Sequence, residues 1–226
     1  MNPLISVVLC TYNGADFLKE QMDSLLTQTW KPIEIIVSDD GSTDNTRDIL
    51  LSYKHHTQIQ LFFQDKNLGP IKNVEFALRN TIGDFIAFAD QDDIWKSEKV
   101  ETLYKSMDQS LLVYSDSELV NEKGETLNKK LSDLRHMYTG TDSKGFVFSN
   151  VVWGHAMMIK RDLLQYALPI PENIPHDIWL AYIATAHGGI QYLDKVLKRS
   201  ICCPGSMPLL HPCFLYQQCA HPGLTV

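Results

Sequence analysis

The sequence predicts an α/β fold built on a mostly parallel, Rossmann-like sheet flanked by helices. Between residues 5 and 89, short runs rich in β-branched and aromatic residues alternate with stretches of helical spacing. That order implies parallel pairing through right-handed crossovers. Carboxylates gather where those runs end, in Asp39-Asp40-Gly41-Ser42-Thr43-Asp44 and in Asp90-Gln91-Asp92-Asp93. Sheets of this type bind ligands outside the carboxyl ends of their strands, so the position of the acids agrees with the topology.

The first run, Ile5-Ser6-Val7-Val8-Leu9-Cys10, reads as a strand and ends in the turn sequence Thr11-Tyr12-Asn13-Gly14. Leu18, Met22, Leu25 and Thr29 then share a helical face, with Asp16 near its start. A second strand, Ile33 to Val37, meets Asp39-Asp40-Gly41, after which Ser42 or Thr43 caps a helix bearing Ile49, Leu50 and Tyr53. Ile59 to Phe63 is the third strand. Pro70 opens the next helix, where its missing N–H would go unsatisfied anyway, and Ile71, Val74 and Leu78 point inward. Phe85 to Ala89 is the fourth strand.

The second half is less regular. Val100, Leu103 and Met107 mark a helix face, and Leu111 to Tyr114 a strand. Glu122-Lys123-Gly124-Glu125 reads as a hairpin turn, and the polar residues 128 to 145 as a mobile loop. Val151 to Ile159 resumes β character. Ile178 to His187 is a helix stopped by Gly188-Gly189.

At 226 residues and 44% hydrophobic content the chain can bury one sizeable core. A formal charge of −7, with no basic stripe carrying aromatics, excludes non-specific nucleic-acid binding. The start of the chain lacks the basic region of a signal peptide, and no apolar run reaches the length of a membrane span. Five cysteines, an odd number, fit a reducing compartment. The expected location is therefore the cytoplasm, with peripheral contact at a membrane left open.

Chemistry is concentrated in Asp90, Asp92 and Asp93. Like charges so close raise one another's pKa unless a cation answers them. Hard oxygen ligands suit Mg2+ or Mn2+ rather than zinc. With Asp39 and Asp40 at an equivalent strand end, the two clusters would face one crevice, a site for a nucleoside diphosphate held through a metal. Asp44 is read as a first-turn helix charge rather than a ligand. No Ser, Cys or His pairs with a positioned base, which argues against acyl transfer.

These blocks resemble the signatures of family 2 glycosyltransferases with the GT-A fold. The resemblance runs in order through Ser6 to Asn13, Ser38 to Asp44, Asn67-Leu68-Gly69, Asp90-Gln91-Asp92-Asp93 and Pro175-His176-Asp177-Ile178-Trp179. Within the family, the chain is similar to bacterial rhamnosyltransferase-like enzymes of surface polysaccharide synthesis. The resemblance implies inverting, hexosyl-type transfer from a UDP- or dTDP-sugar to a hydroxyl of a saccharide or lipid-linked acceptor. It implies Asp92 and Asp90 at the metal, and Thr11, Tyr12, Asn13, Asp39, Asp40, Asn67 and Asp90 around the nucleotide, with Asp39 on the base. Asp177 would be the general base, at a helix start whose dipole favours its ionised form. Trp153, His155, His176 and Trp179 would shape the acceptor side.

Each motif has a plainer reading as well: the acidic runs make ordinary turns, Asp177 an ordinary N-cap, and His155 a packed core histidine. The family usually shows two tryptophans after the aspartate, and Ile178 replaces the first. The larger departure is the tail. Residues 1–197 read as the glycosyltransferase domain, while 198–226 depart from the Tyr-Arg-x-His continuation expected there. Four of the five cysteines and four of the ten prolines lie after residue 201, without Cys-x-x-Cys spacing for zinc. An altered tail leaves a second reading, a catalytically impaired nucleotide-sugar-binding relic. A nucleotidyltransferase would need a basic, glycine-rich loop after the first strand, and a phospho-receiver domain would be about half as long.

Overall fold

The computed structural model describes residues 1–121, 125–144 and 151–201. Strands β1 (Ile5–Thr11), β2 (Ile33–Asp39), β3 (Ile59–Phe63) and β4 (Phe85–Ala89) form a parallel half-sheet in the order β3-β2-β1-β4. Every residue of β1 and β2 is buried. That is why these runs read as continuously apolar rather than alternating: helices cover both faces.

On one face, α1 (Ala15–Leu26), α2 (Thr46–Ser52) and α4 (Lys99–Lys105) place Leu18, Met22, Leu25, Leu50, Val100 and Leu103 against Val7, Leu9 and Ile35. On the other, α3 (Pro70–Arg79) sets Val74, Ala77 and Leu78 against Val8, Ile36 and Phe88. Pro70 is at the start of α3, as its chemistry requires.

Past β4 the sheet changes sense. β8 (Met157–Lys160) runs antiparallel to β4, and β6 (Leu112–Val120) antiparallel to β8. β9 (Ile190–Ile201) returns parallel to β6, and the short β5 (Ile94–Trp95) pairs antiparallel at its far end. β7 (Thr126–Lys130) hangs on β6, antiparallel. The short α5 (Leu164–Ala167) leads to α6 (His176–His187), which packs Leu180, Ala181 and Ala184 on the α3 face. Among the described residues, no helix is long and apolar enough to cross a membrane.

Several expectations are corrected. Helix α1 ends before Thr29, which is exposed. Neither Ser42 nor Thr43 caps α2, whose N-cap is Asn45; Ser42 is spent on Asp39 instead. Helix α6 begins two residues earlier than expected, so Asp177 is inside its first turn. The described part of 128–145 is pinned to the sheet rather than left as a loop. Asn128 to Lys130 belong to β7, Asp116 accepts from the Ser132 N–H at 3.2 Å, and the Tyr114 hydroxyl accepts from the Tyr138 N–H at 2.9 Å. Short polar stretches read as loops when their partners are buried side chains far away in sequence. β9 runs four residues past Leu197, the boundary expected for the tail. Residues 122–124 of the expected turn and residues 202–226 lie outside the described residues.

At the sheet's opposite end, buried Glu34 accepts from the Ser6 hydroxyl and from the N–H groups of Ile82 and Gly83 at 2.7 and 3.2 Å. It ties the turn before β4 to the two central strands. Glu34→Ala orphans the buried Ser6 hydroxyl and takes the acceptor from the Ile82 N–H, while the Gly83 N–H keeps Ser6 Oγ at 2.9 Å, and a loss of about 1–3 kcal/mol is expected in urea unfolding. A loss below about 1 kcal/mol would show that the turn is held by other contacts.

Candidate active site

A cavity opens at the carboxyl ends of β1 and β4, between the starts of α3 and α6. Its apolar floor is Val8, Cys10, Val74 and Phe88. The Cys10 thiol is buried, and desolvation, with Asp90 and Asp40 nearby, pushes its pKa up. It is a packing residue, not a nucleophile.

One wall comes from the loops after β1 and β2. Asp40, 3% exposed, accepts from the N–H groups of Leu68 and Gly69 at 2.7 and 3.0 Å. Burial outweighs these bonds and raises its pKa. The loop carrying Asn67 is thereby clamped beside Tyr12 and Thr11 on the cavity wall. Gly41 makes that approach possible: it holds φ +77°, and a Cβ there would sit 3.1 Å from the Asn67 nitrogen. Asp39 does not line the cavity. Its oxygens accept from the Thr11 hydroxyl at 3.1 Å, the Ser42 N–H at 3.1 Å, the Ser42 hydroxyl and Arg47 Nε at 3.1 Å. It fixes Thr11 from beneath. Asn13 is likewise a brace: its N–H donates to Ser42 Oγ at 2.9 Å, and its Oδ1 accepts from the Thr43 N–H at 2.8 Å.

The opposite wall is acidic. His155 Nδ1 donates to Asp90 Oδ2 at 2.7 Å, and both residues line the cavity. Burial works against ionisation of Asp90, but His155, Lys198 and His176 outweigh it and hold the carboxyl well below the ordinary range. Burial, then the charges of Asp93 and Asp90, push Asp92 up to about 6. Asp90, Asp93 and His155 each offer one ligand atom, all within 4.8 Å of one another. Asp92, expected at the metal with Asp90, is not in that group, which Asp93 and His155 form with Asp90.

The α6 end completes the cavity. Asp177 is 8% exposed and one of its oxygens accepts from the Ile178 N–H at 2.8 Å. The His176 ring stacks on Phe88, with centroids 5.8 Å apart. Gly154 leaves the room this needs, since a Cβ there would stand 2.6 Å from His176 Nε2. Trp153 lines the cavity too. Trp179 does not: its indole N–H donates to the Ala167 carbonyl at 2.7 Å and its ring packs on the core.

Residues of the loops after β1, β2 and β3, the Asp90–His155 pair and a helix-borne aspartate thus share one cavity. Over residues 6–167 the sequence matches the family described as glycosyl transferase family 2. The chain belongs to glycosyltransferase family 2. The chain is 29% identical over 208 residues to an uncharacterized glycosyltransferase of Rickettsia typhi, covering 88% of this chain and 64% of that protein. It thus spans under two thirds of that relative's length. It is 35% identical over 130 residues to TuaG of Bacillus subtilis, named for teichuronic acid biosynthesis, covering 56% of this chain and 52% of TuaG. Its fold is GT-A. It matches TarS 1–349 of S. aureus in complex with UDP-GlcNAc at TM-score 0.71 and 22% identity, over 92% of this chain and 61% of that one. It matches the mannosyltransferase PcManGT of Pyrobaculum calidifontis, in complex with GDP-Man and Mn2+, at TM-score 0.66 and 21% identity, over 90% of this chain and 57% of that one.

The donor set of this chain fits a divalent cation on its own geometry. Among the described residues, Asp93 Oδ2 and His155 Nε2 are buried and without hydrogen-bond partners, and crowded carboxylates are what a cation relieves. Sequence reasoning missed three residues here. Gln91 Oε1 accepts from the Tyr12 N–H at 2.9 Å and its Nε2 donates to the Tyr12 carbonyl at 3.2 Å, tying the acidic turn to the loop after β1. Lys99 and Lys198 are fully buried behind the acids. Burial, then Lys198, bring the Lys99 pKa well down. A glutamine between aspartates and lysines in amphipathic runs give no local signal of such roles.

Proposed function

We propose that the protein catalyses inverting transfer of a hexosyl group from a nucleoside diphosphate sugar to a hydroxyl of a saccharide or lipid-linked acceptor in surface polysaccharide assembly. The observation that carries this reading is the convergence of Thr11, Tyr12, Asp40, Asn67, Asp90, His155 and Asp177 on one cavity. UDP-GlcNAc and GDP-Man in the structural neighbours, and the naming of TuaG, support the substrate classes.

In this scheme Asp177 accepts the proton of the acceptor hydroxyl as its oxygen bonds to the anomeric carbon. The bond from that carbon to the diphosphate breaks, and its electron pair leaves with the phosphate oxygen. Asp40 and Asn67 shape the nucleotide end of the cavity. Asp90, Asp93 and His155, with Asp92 beside them, would hold Mn2+ or Mg2+, which supplies charge stabilisation at the leaving phosphate when bound. Trp153 and His176 border the acceptor side.

Thermal shift with UDP, dTDP and GDP, each with and without Mn2+, tests the donor class. One nucleotide at a hundred times its Kd is expected to add about 2.7 kcal/mol, with Mn2+ required. No shift with any nucleotide would remove the donor-site reading.

A further inference from the structure

Behind the acidic turn, Lys198 is 0% exposed, and its Nζ donates to Asp93 Oδ1 at 2.6 Å; Asp93 is 2% exposed. Lys198 comes from β9 and Asp93 from the turn after β4, so the pair closes the last described strand onto the acids. Lys99 stands beside it, its Nζ donating to the His155 carbonyl at 2.6 Å and lying 3.6 Å from the centre of the Trp95 ring. Among the described residues, Asp93 Oδ2 has no hydrogen-bond partner. Lys198 is therefore the direct partner of a buried carboxylate whose other charge partner, His155 Nδ1, stands 3.9 Å from Oδ2 and is already spent on Asp90 at 2.7 Å; a buried anion left without a close partner is costly.

We propose that Lys198 is a positioning residue, the resident counter-cation of the carboxylate cluster. It holds Asp93 in place so that the site stands assembled before a divalent cation arrives. Asp90 is answered by His155 and Asp93 by Lys198. A second positive charge entering beside Lys198 is opposed, so the nucleotide-free protein binds the divalent ion weakly. The diphosphate, with its own negative oxygens, restores the balance and brings the ion in. The inference rests on the donor-site reading for the identity of that ion.

The test is Mn2+ binding to nucleotide-free protein, read by electron paramagnetic resonance, with thermal stability as a second readout. Lys198→Met keeps the apolar stem and removes the charge. The variant is expected to bind Mn2+ at least about tenfold tighter than wild type, because orphaned Asp93 now seeks a cation. Mn2+ should also raise its melting temperature more than that of wild type. Folding only in the presence of Mn2+ would be the same result in stronger form. Adding Asp93→Asn removes the orphaned charge and one ligand with it, and the double variant should bind Mn2+ no tighter than wild type.

Mn2+ binding by Lys198→Met no tighter than wild type overturns the proposal, as does tight binding that persists in the double variant. Failure of both variants to fold with Mn2+ present also overturns it, because the pair is then needed for something other than charge balance. Wild type titrated with Mn2+ together with UDP or GDP reports on the donor site separately. No binding there, with the Lys198→Met difference intact, would remove the donor reading and leave the counter-cation role standing.

Discussion

Asp177→Asn is expected to lower the rate of sugar transfer by about 10²–10⁴-fold while leaving nucleotide binding and folding near wild type. The side chain lines the cavity from the first turn of α6, and its hydrogen bond to the Ile178 N–H survives in the isosteric amide. What the amide lacks is the capacity to accept a proton. The measurement is transfer rate at saturating donor and acceptor, beside the thermal shift given by the nucleotide alone. Loss of rate with an unchanged shift identifies the base. A loss under about tenfold would move that role elsewhere, and His176, stacked on Phe88 in the same cavity, would be the next residue to change.

Asp90→Asn should act on the other half of the reaction. Asp90 accepts from His155 Nδ1 at 2.7 Å and lines the cavity between the nucleotide loop and Asp93. The neutral amide keeps the size of the side chain and abolishes its charge. The Mn2+-dependent part of nucleotide stabilisation, about 2.7 kcal/mol at a hundred times Kd in wild type, is expected to vanish. Transfer should fall by about 10²–10³-fold, since charge building on the leaving phosphate is no longer met by a cation held there. The ligand-free melting temperature decides whether this is a site effect: a shift of more than about 8 °C would point to a fold defect instead. Retention of Mn2+-dependent stabilisation would leave Asp93 and His155 as sufficient ligands.

The sequence singles out these two residues as candidates because an acid at the end of an apolar strand, or in a His-Asp-Ile-Trp block before a helix, suits chemistry as well as a turn or a cap. The parallel half-sheet was legible as well. Its strands are buried on both faces, so β1 to β4 read as apolar runs between turn signals. Local pattern failed where structure depends on distant partners. Residues 128 to 144 look like a loop until Asp116 and Tyr114 supply the acceptors that hold Ser132 and Tyr138. Nothing along the chain shows that the oxygens of Asp39 accept from Thr11, Ser42 and Arg47.

By itself, the sequence determined the α/β class, the strand ends at which chemistry gathers, and the residue types that suit a diphosphate, a divalent cation and a proton acceptor. Period and turn chemistry are local, and a chain carries them openly. Only the tertiary structure decided which acids face the cavity, that Asp93 and His155 rather than Asp92 group with Asp90, and that Lys198 neutralises Asp93 from 105 residues away. Electrostatic pairing depends on distance in space and on the exclusion of water, and neither is written along the chain.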